Sequence, residues 1–276
     1  MTDPIAWPRR EALGIGTGAA SFTLGLGFFA ETGGSAVAAT GDTTVLITGA
    51  NRGIGLEFAR QYAGRGWAVI GTARKPAEAA DLNALAAANP KVTVEQLDVT
   101  DHAAIDALAA KYKGTAIDIL VNNAGIGGGG ANQVFGRINY AMFDPVMKTN
   151  VEGPLKVSEA FVEHVAASVQ KKIMMVSSSQ GSVASVRSAS LYFYRASKSA
   201  LNMVSVNLAK ALKERGIIVG MVAPGATDTD FMAEVRGRMP LGDPAERTAG
   251  MIAQIDAFTI ERSGRLIEWT GEEIPW

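Results

Sequence analysis

The sequence predicts an α/β fold, a doubly wound parallel sheet in three layers forming a single domain, and three observations carry that prediction. From residue 44 onward, short apolar runs alternate in strict order with longer helical patterns, the signature of strands joined by helical crossovers. Several of the apolar runs have no polar alternation, as expected where helices cover both faces of a parallel sheet. The first run, in TVLITGANRGIGLEFAR (44–60), breaks into glycines and re-enters as a helix. That strand–turn–helix passage suits a phosphate: glycines let it approach the backbone, and the helix N-terminus offers free N–H groups.

The elements follow in order. Strands are expected at 45–48, 68–72, 92–97, 117–121, 172–177, 217–222 and 265–268, and helices at 56–64, 77–88, 103–112, 154–169, 197–215 and 245–261. The glycine turn at Gly49, Gly53 and Gly55 is spaced T-G-x-x-x-G-x-G, with Asn51, Arg52 and Ile54 between. The run Gly127–Gly130 reads as a flexible loop after the fourth strand, not as a linker. No internal repeat or compositional break marks a second domain, so residues 41–276 are read as one unit.

Residues 1–40 have a different character. Arg9 and Arg10 precede an uncharged stretch rich in glycine, alanine, leucine and phenylalanine, and Ala36-Val37-Ala38 supplies a small-residue cleavage motif. The paired arginines and glycine-diluted apolar stretch fit a twin-arginine export signal. A retained anchor and a cytoplasmic leader are the alternatives. The expected location is the periplasm after cleavage, or the cytoplasm if the leader is not used.

Composition excludes several chemistries. The formal net charge is −1, which offers no basic surface for nucleic acid. There is no cysteine, hence no disulfide and no thiolate nucleophile or ligand. The two histidines, His102 and His164, sit in helical patterns among polar residues and read as solvated, so neither a metal site nor a histidine triad is expected.

In such sheets ligands bind beyond the carboxyl ends of the strands. Those ends carry small or polar residues: Thr72-Ala73-Arg74, Leu97-Asp98-Val99, Asn122-Asn123-Ala124-Gly125, Ser177-Ser178-Ser179 and Ala223-Pro224-Gly225. An acidic residue at the second strand would hold the ribose of NAD; Ala73 and Arg74 stand there instead. Arg52 and Arg74 can bracket a 2′-phosphate, which favours NADP(H). Asp98 is placed to accept from an adenine amino group, or to cap a helix.

The chemistry is read from Tyr194 and Lys198, spaced i and i+4 on one helix face. A nearby ammonium lowers a phenol's pKa from its usual value near 10, and a phenol so tuned can pass a proton to or from a carbonyl oxygen. Ser178, after the fifth strand, can donate to the same oxygen. Asn150 lies in a helical stretch where asparagine is mildly unfavourable and needs a reason.

With these motifs in order, the chain resembles the short-chain dehydrogenase/reductase family. TGANRGIG (48–55), LDVTD (97–101), NNAG (122–125), Asn150, SS-x-x-G (177–181), YRASK (194–198) and APG-x-x-x-T (223–229) carry the resemblance across residues 44–232. YRASKSALN and the Pro-Trp ending are similar to its carbonyl-reductase-like (C-factor/sniffer-like) group. The resemblance implies a Rossmann fold with Tyr194 as acid/base. Lys198 would lower its pKa and hold the nicotinamide ribose, and Asn150 would support a water that relays protons through Lys198. Ser178 would orient the carbonyl; among Ser177, Ser178 and Ser179 it is preferred because Gly181 then keeps the family spacing. Gly49, Gly53, Ile54 and Gly55 would surround the pyrophosphate, and Asn123, Ala124 and Gly125 would line the adenosine side. Pro224, Gly225 and Thr229 would hold the carboxamide end of nicotinamide. Most relatives are cytosolic, so the leader departs from the pattern.

The reading is an NADP(H)-dependent oxidoreductase that interconverts a ketone or aldehyde and an alcohol. The alternatives on the same fold are a non-catalytic nucleotide-binding regulator, and an epimerase or dehydratase. The pocket walls are expected in loops 127–144, 183–193 and 231–241, with Phe135, Tyr140, Phe143, Tyr192, Phe193, Phe231 and Met232. Apolar faces on 154–169 and 197–215 suit a dimer or tetramer.

Overall fold

A computed structural model of the chain describes residues 43–276. The expected leader lies outside the described residues. Seven strands, β1 (Thr44–Ile47), β2 (Ala68–Ala73), β3 (Val92–Gln96), β4 (Ile119–Asn122), β5 (Lys172–Val176), β6 (Ile218–Ala223) and β7 (Leu266–Glu268), form one parallel sheet. Their order is β3-β2-β1-β4-β5-β6-β7. The chain works outward from β1 on one side and from β4 on the other, so the order reverses between β1 and β4. That switch point is where a crevice for a ligand opens in such sheets.

Strand periodicity divides the core. Val45, Ile47, Ile119, Val121, Met174 and Val176 face one apolar layer, while Leu46, Leu120, Ile173 and Met175 face the other. Helix α1 (Gly53–Gly64) places Phe58 and Tyr62 in the first layer, joined there by Leu82 of α2 (Ala80–Ala88) and by Met251, Ile252 and Ile255 of α7 (Pro244–Ala257). The second layer takes Ile105 of α3 (His102–Lys111), Phe161 of α5 (Gly153–Ala166) and Leu201 of α6 (Tyr192–Leu212). No helix among the described residues is long and apolar enough to cross a membrane.

Several boundaries differ from expectation for local reasons. The helix expected at 77–88 splits, because Pro76 opens a separate 3-10 turn before α2 begins at Ala80. Before α5 the structure adds a short α4 (Phe143–Met147) and a π-helical turn, Lys148–Glu152. Helix α6 begins at Tyr192, five residues earlier than the apolar periodicity shows, so Tyr194 lies in its first turn. The glycine run after β4 is tied rather than free: the Gly127 and Gly129 carbonyls accept from Gln133, and the Gly130 N–H donates to Glu234. His102 pairs with Glu152 at 2.9 Å, but His164 is half-buried, its ring tilted against Phe161 and within 3.1 Å of the Ala109 carbonyl oxygen. It is a packing histidine rather than a solvated one. Among the described residues no cluster of histidine, aspartate and glutamate could hold a metal.

Tyr62 is fully buried between Phe58 and Trp67, yet its hydroxyl meets no hydrogen-bond partner. Burial pushes its phenol far above the ordinary range. An unsatisfied buried hydroxyl costs more than it returns. Tyr62→Phe is therefore expected to stabilise the fold by about 1 kcal/mol, read as a higher denaturant midpoint at unchanged slope; a lower midpoint would show that the hydroxyl is satisfied.

Candidate active site

The glycine turn is shaped by what cannot fit in it. Gly49 and Gly53 have φ of +68° and +54°, a region that favours glycine. A Cβ on Gly55 would collide with the Gly49 carbonyl oxygen, so α1 can enter this close only without a side chain there. Asn123 locks the turn from β4: its Nδ2 donates to the Thr48 and Gly49 carbonyls at 2.9 and 3.1 Å. Thr48 Oγ1 in return accepts from the backbone N–H groups of Asn123 and Ala124. Asn123 thus braces the turn rather than simply lining the adenosine side. Helix α1 starts at Arg52 with no side-chain cap and no acidic residue in its first turn. Its leading N–H groups and positive dipole end are left for an anion, with Asn51 beside the turn and Ile54 anchored against the core. These features fit a pyrophosphate.

Beside the turn runs an open groove of about 1060 Å³, lined by Asn51, Arg52, Arg74, Lys75, Leu97 and Asp98 among others. Arg52 pairs with Asp230 at 3.3 Å, both side chains largely exposed. Arg74 is exposed with no hydrogen-bond or ion-pair partner among the described residues, and Lys75 pairs with Glu78. The two arginines flank one groove, but Arg52 is shared with a carboxylate from the far side. Asp98 Oδ1 accepts from the Thr100 N–H and hydroxyl, while Asp101 caps α3. Val99 is buried, and its carbonyl closes on Gly153, so its side chain packs the core instead of lining the groove.

The reactive side chains meet at the carboxyl edge of β4 and β5. Ser178 lies close enough to Tyr194 to lower its phenol's pKa, and Lys198 Nζ lies 5.8 Å from the Tyr194 ring centroid. Ser177 is buried with its hydroxyl donating to Asn202, so Ser178 is the serine of the run that faces the phenol. A Cβ on Gly125 would stand 3.3 Å from Asn150 Oδ1 and 3.9 Å from Lys198 Nζ, which places Gly125 against both. Lys198 is 6% exposed and donates to the Val176 carbonyl at 2.8 Å. Burial pulls its pKa down from 10.5 to about 8.

One expectation is corrected here. The phenol is not made more acidic by the lysine: burial pushes Tyr194 up to about 12, with Ser178 pulling the other way. Desolvation disfavours both charged forms, and no coulombic pull from Lys198 offsets it for the phenol. Asn150 is fully buried in the π turn; both its N–H groups are engaged, with the Ile126 carbonyl and Ser197 Oγ, and its oxygen accepts from Ile126 N–H. Ser197 Oγ donates in turn to the Tyr194 carbonyl. Asn150 therefore ties the loop after β4 to α6, without a direct contact to Lys198.

The fourth corner is the loop after β6. Pro224 and Gly225 turn it, Gly225 with φ of +67°, and their carbonyls are held by Thr227. Thr229 comes next to the glycine turn, its methyl 3.3 Å from where a Gly53 Cβ would lie. Phe231 then lays its ring 5.4 Å from that of Tyr194, half exposed. Sequence reasoning did not single out Thr48, Thr227 or Gln133 as site residues. Thr48 sits inside the glycine motif and was findable there; Gln133 lies in an irregular loop with no periodicity to expose it.

Comparison with known proteins agrees with this geometry. The short chain dehydrogenase family model matches residues 43–239. The chain is 34% identical over 237 residues to 1-hydroxy-2-glutathionyl-2-methyl-3-butene dehydrogenase of Rhodococcus sp. (strain AD45), covering 85% of this chain and 100% of that protein. Among solved structures, NADPH-bound carbonyl reductase from chicken fatty liver superposes with a TM-score of 0.76 at 30% identity, covering 85% of this chain and 99% of that one. A short-chain dehydrogenase/reductase of Burkholderia multivorans with bound NADP gives 0.77 at 31% identity, covering 86% and 100%.

The lysine shift has a definite sign for stability. Below pH 8 Lys198 is protonated folded and unfolded, and its desolvation penalty is fully present; from about 8 to 10.5 only the unfolded chain keeps the proton, so stability from this group rises with pH. The penalty is on the order of 3 kcal/mol. Lys198→Met is expected to unfold no more easily than the parent at pH 7, and its advantage should shrink towards pH 10.5. Urea titrations across that range check it; a variant much less stable at pH 7 would refute the sign.

Proposed function

The chain belongs to the short-chain dehydrogenase family, and from that premise we propose that it is an NADP(H)-dependent oxidoreductase of the carbonyl reductase type, interconverting a ketone or aldehyde and an alcohol. The observation that carries this is the meeting of Tyr194, Ser178 and Lys198 beside an uncapped helix start and a glycine turn closed to any side chain. The NADPH- and NADP-bound relatives, and an unpartnered Arg74 at the end of β2, support the phosphorylated cofactor.

When bound, the dihydronicotinamide supplies the hydride. The chain's own residues handle the oxygen. The substrate carbonyl oxygen accepts from Ser178 Oγ and Tyr194 Oη. As charge develops on that oxygen, both donors strengthen, and Tyr194 transfers its proton to leave an alcohol. The phenolate left on Tyr194, with Lys198 buried one helical turn away, then takes up a proton to complete the cycle. Thr229, Pro224 and Gly225 would border the carboxamide end, while Arg74 and Arg52, which line the groove, would hold the 2′-phosphate. Phe231, Phe135 and Tyr140 are exposed near the first turn of α6 and suit an apolar carbonyl compound.

Following NADPH absorbance with a panel of small ketones and aldehydes is the direct test. Tyr194→Phe should lower kcat/KM by about 10²–10⁴-fold and leave NADPH binding nearly intact. Tight NADPH binding without oxidation across the panel would instead favour the regulator. Arg74→Ala should weaken NADPH binding about 10- to 100-fold, as expected for loss of a charged hydrogen bond, and leave NADH binding within twofold; equal losses for both would remove Arg74 from the phosphate site.

A further inference from the structure

The helix that carries Tyr194 does not cap itself. Leu191 stands at its N-cap position in a left-handed conformation, with φ of +52°, and offers no side-chain acceptor. The first helical hydrogen bond runs from Arg195 N–H to the Leu191 carbonyl. The preceding N–H groups therefore need an acceptor from elsewhere. Gln133, sixty residues upstream of Phe193, supplies it. Its Oε1 accepts from Phe193 N–H at 2.8 Å and from Tyr194 N–H at 3.1 Å. Its Nε2 donates to the Gly127 and Gly129 carbonyls at 2.9 and 3.0 Å. The side chain is 1% exposed, and every bond it makes is buried or partly buried.

The arrangement accepts only one orientation of the amide. Turned over, it would set NH₂ against two N–H groups and oxygen against two carbonyls, leaving all four unmatched. Both ends are thus used at once. One end holds the backbone of Tyr194 itself. The other holds Gly127, which packs tightly against Phe231: a Cβ there would be 3.1 Å from Phe231 Cζ. Phe231 in turn leans on the Tyr194 ring. A single amide therefore joins the proton donor's helix to the loop that backs one wall of the substrate site.

We propose that Gln133 is a positioning residue for the reaction: its carbonyl fixes Tyr194 by capping α6, and its NH₂ fixes the Gly127–Gly130 wall, so that donor and substrate are registered by one side chain. This rests on the oxidoreductase reading above. Structural filling alone would need only the volume of the side chain. Registration needs the two ends separately, and the two ends can be separated by substitution.

The experiment compares Gln133→Met, which keeps length and loses both polar ends, with Gln133→Glu, which keeps an acceptor at the helix start and loses the donor. Each is assayed for kcat, substrate KM and NADPH KM on a carbonyl compound that the parent reduces. Amide hydrogen exchange at Phe193 and Tyr194 is measured in parallel. Gln133→Met should lower kcat tenfold or more, raise substrate KM severalfold and leave NADPH KM within twofold. Exchange at the two amides should quicken while the later turns of α6 keep their protection. Gln133→Glu should recover kcat to within about threefold of the parent, restore protection of the two amides and retain the raised substrate KM. Unchanged kcat or unchanged exchange in Gln133→Met, or equal defects in both variants, overturns the proposal. A parent that reduces nothing overturns the functional reading instead, and the exchange data still decide whether Gln133 caps the helix.

Discussion

The close passage of α1 over the β1 turn is the constraint on which the rest depends. Gly55 meets the Gly49 carbonyl so tightly that no side chain can stand between them, and Asn123 reaches across from β4 to pin the same carbonyl. Because β1 and β4 are adjacent at the point where strand order reverses, this one contact joins the two halves of the sheet at the mouth of the crevice. It also explains why the helix starts bare. A capping side chain at Arg52 would satisfy the leading N–H groups but would also occupy the space an anion needs. The uncapped end is a local cost that makes sense only with a ligand phosphate to complete it.

Burial, more than pairing, sets the electrostatics of the reactive group. It raises the Tyr194 phenol and lowers the Lys198 amine together, drawing both towards their neutral forms. Under the proposed reaction this is consistent with reduction, since at neutral pH the phenol holds the proton that the developing alkoxide takes. The reverse direction requires phenolate, and so requires more positive charge near the ring than Lys198 alone provides. An oxidised nicotinamide carries such a charge. Under that reading the charge of the oxidised nicotinamide would add to that of Lys198 in favouring phenolate.

How much of this was legible depended on the kind of signal. Strands β1, β4 and β5 were visible because both their faces are buried, and the turn because its glycines are spaced by a steric need. Tyr194 and Lys198 were visible as an i, i+4 pair. Their pKa directions were not, because spacing reports proximity and says nothing of burial. The pairing of Arg52 with Asp230 spans 178 positions and leaves no local trace. Gln133 had no pattern at all: its role comes from four backbone groups on two separate segments, none of which advertises its need in sequence. Asn150 is visible because asparagine is out of place in a helix, but its partners Ile126 and Ser197, 24 and 47 positions away, leave no local trace.

The turn that carries Asn150 is what brings those partners together. Helical geometry cannot usually bring a short amide to a neighbouring loop and a neighbouring helix together. Here the π turn at Lys148–Glu152 inserts an extra residue into the passage from α4 to α5 and so turns Asn150 inward. The amide then grips both backbone groups of Ile126 at the end of the β4 loop, and Ser197 on α6, which passes the contact to the Tyr194 carbonyl. Gln133 holds the N–H of Tyr194 from one side while Asn150, through Ser197, holds its C=O from the other. A tyrosine peptide fixed at both ends leaves the side chain only its own rotations. The Tyr194 backbone is thereby held by side chains reaching in from the loop after β4 and, through Ser197, from the turn before α5.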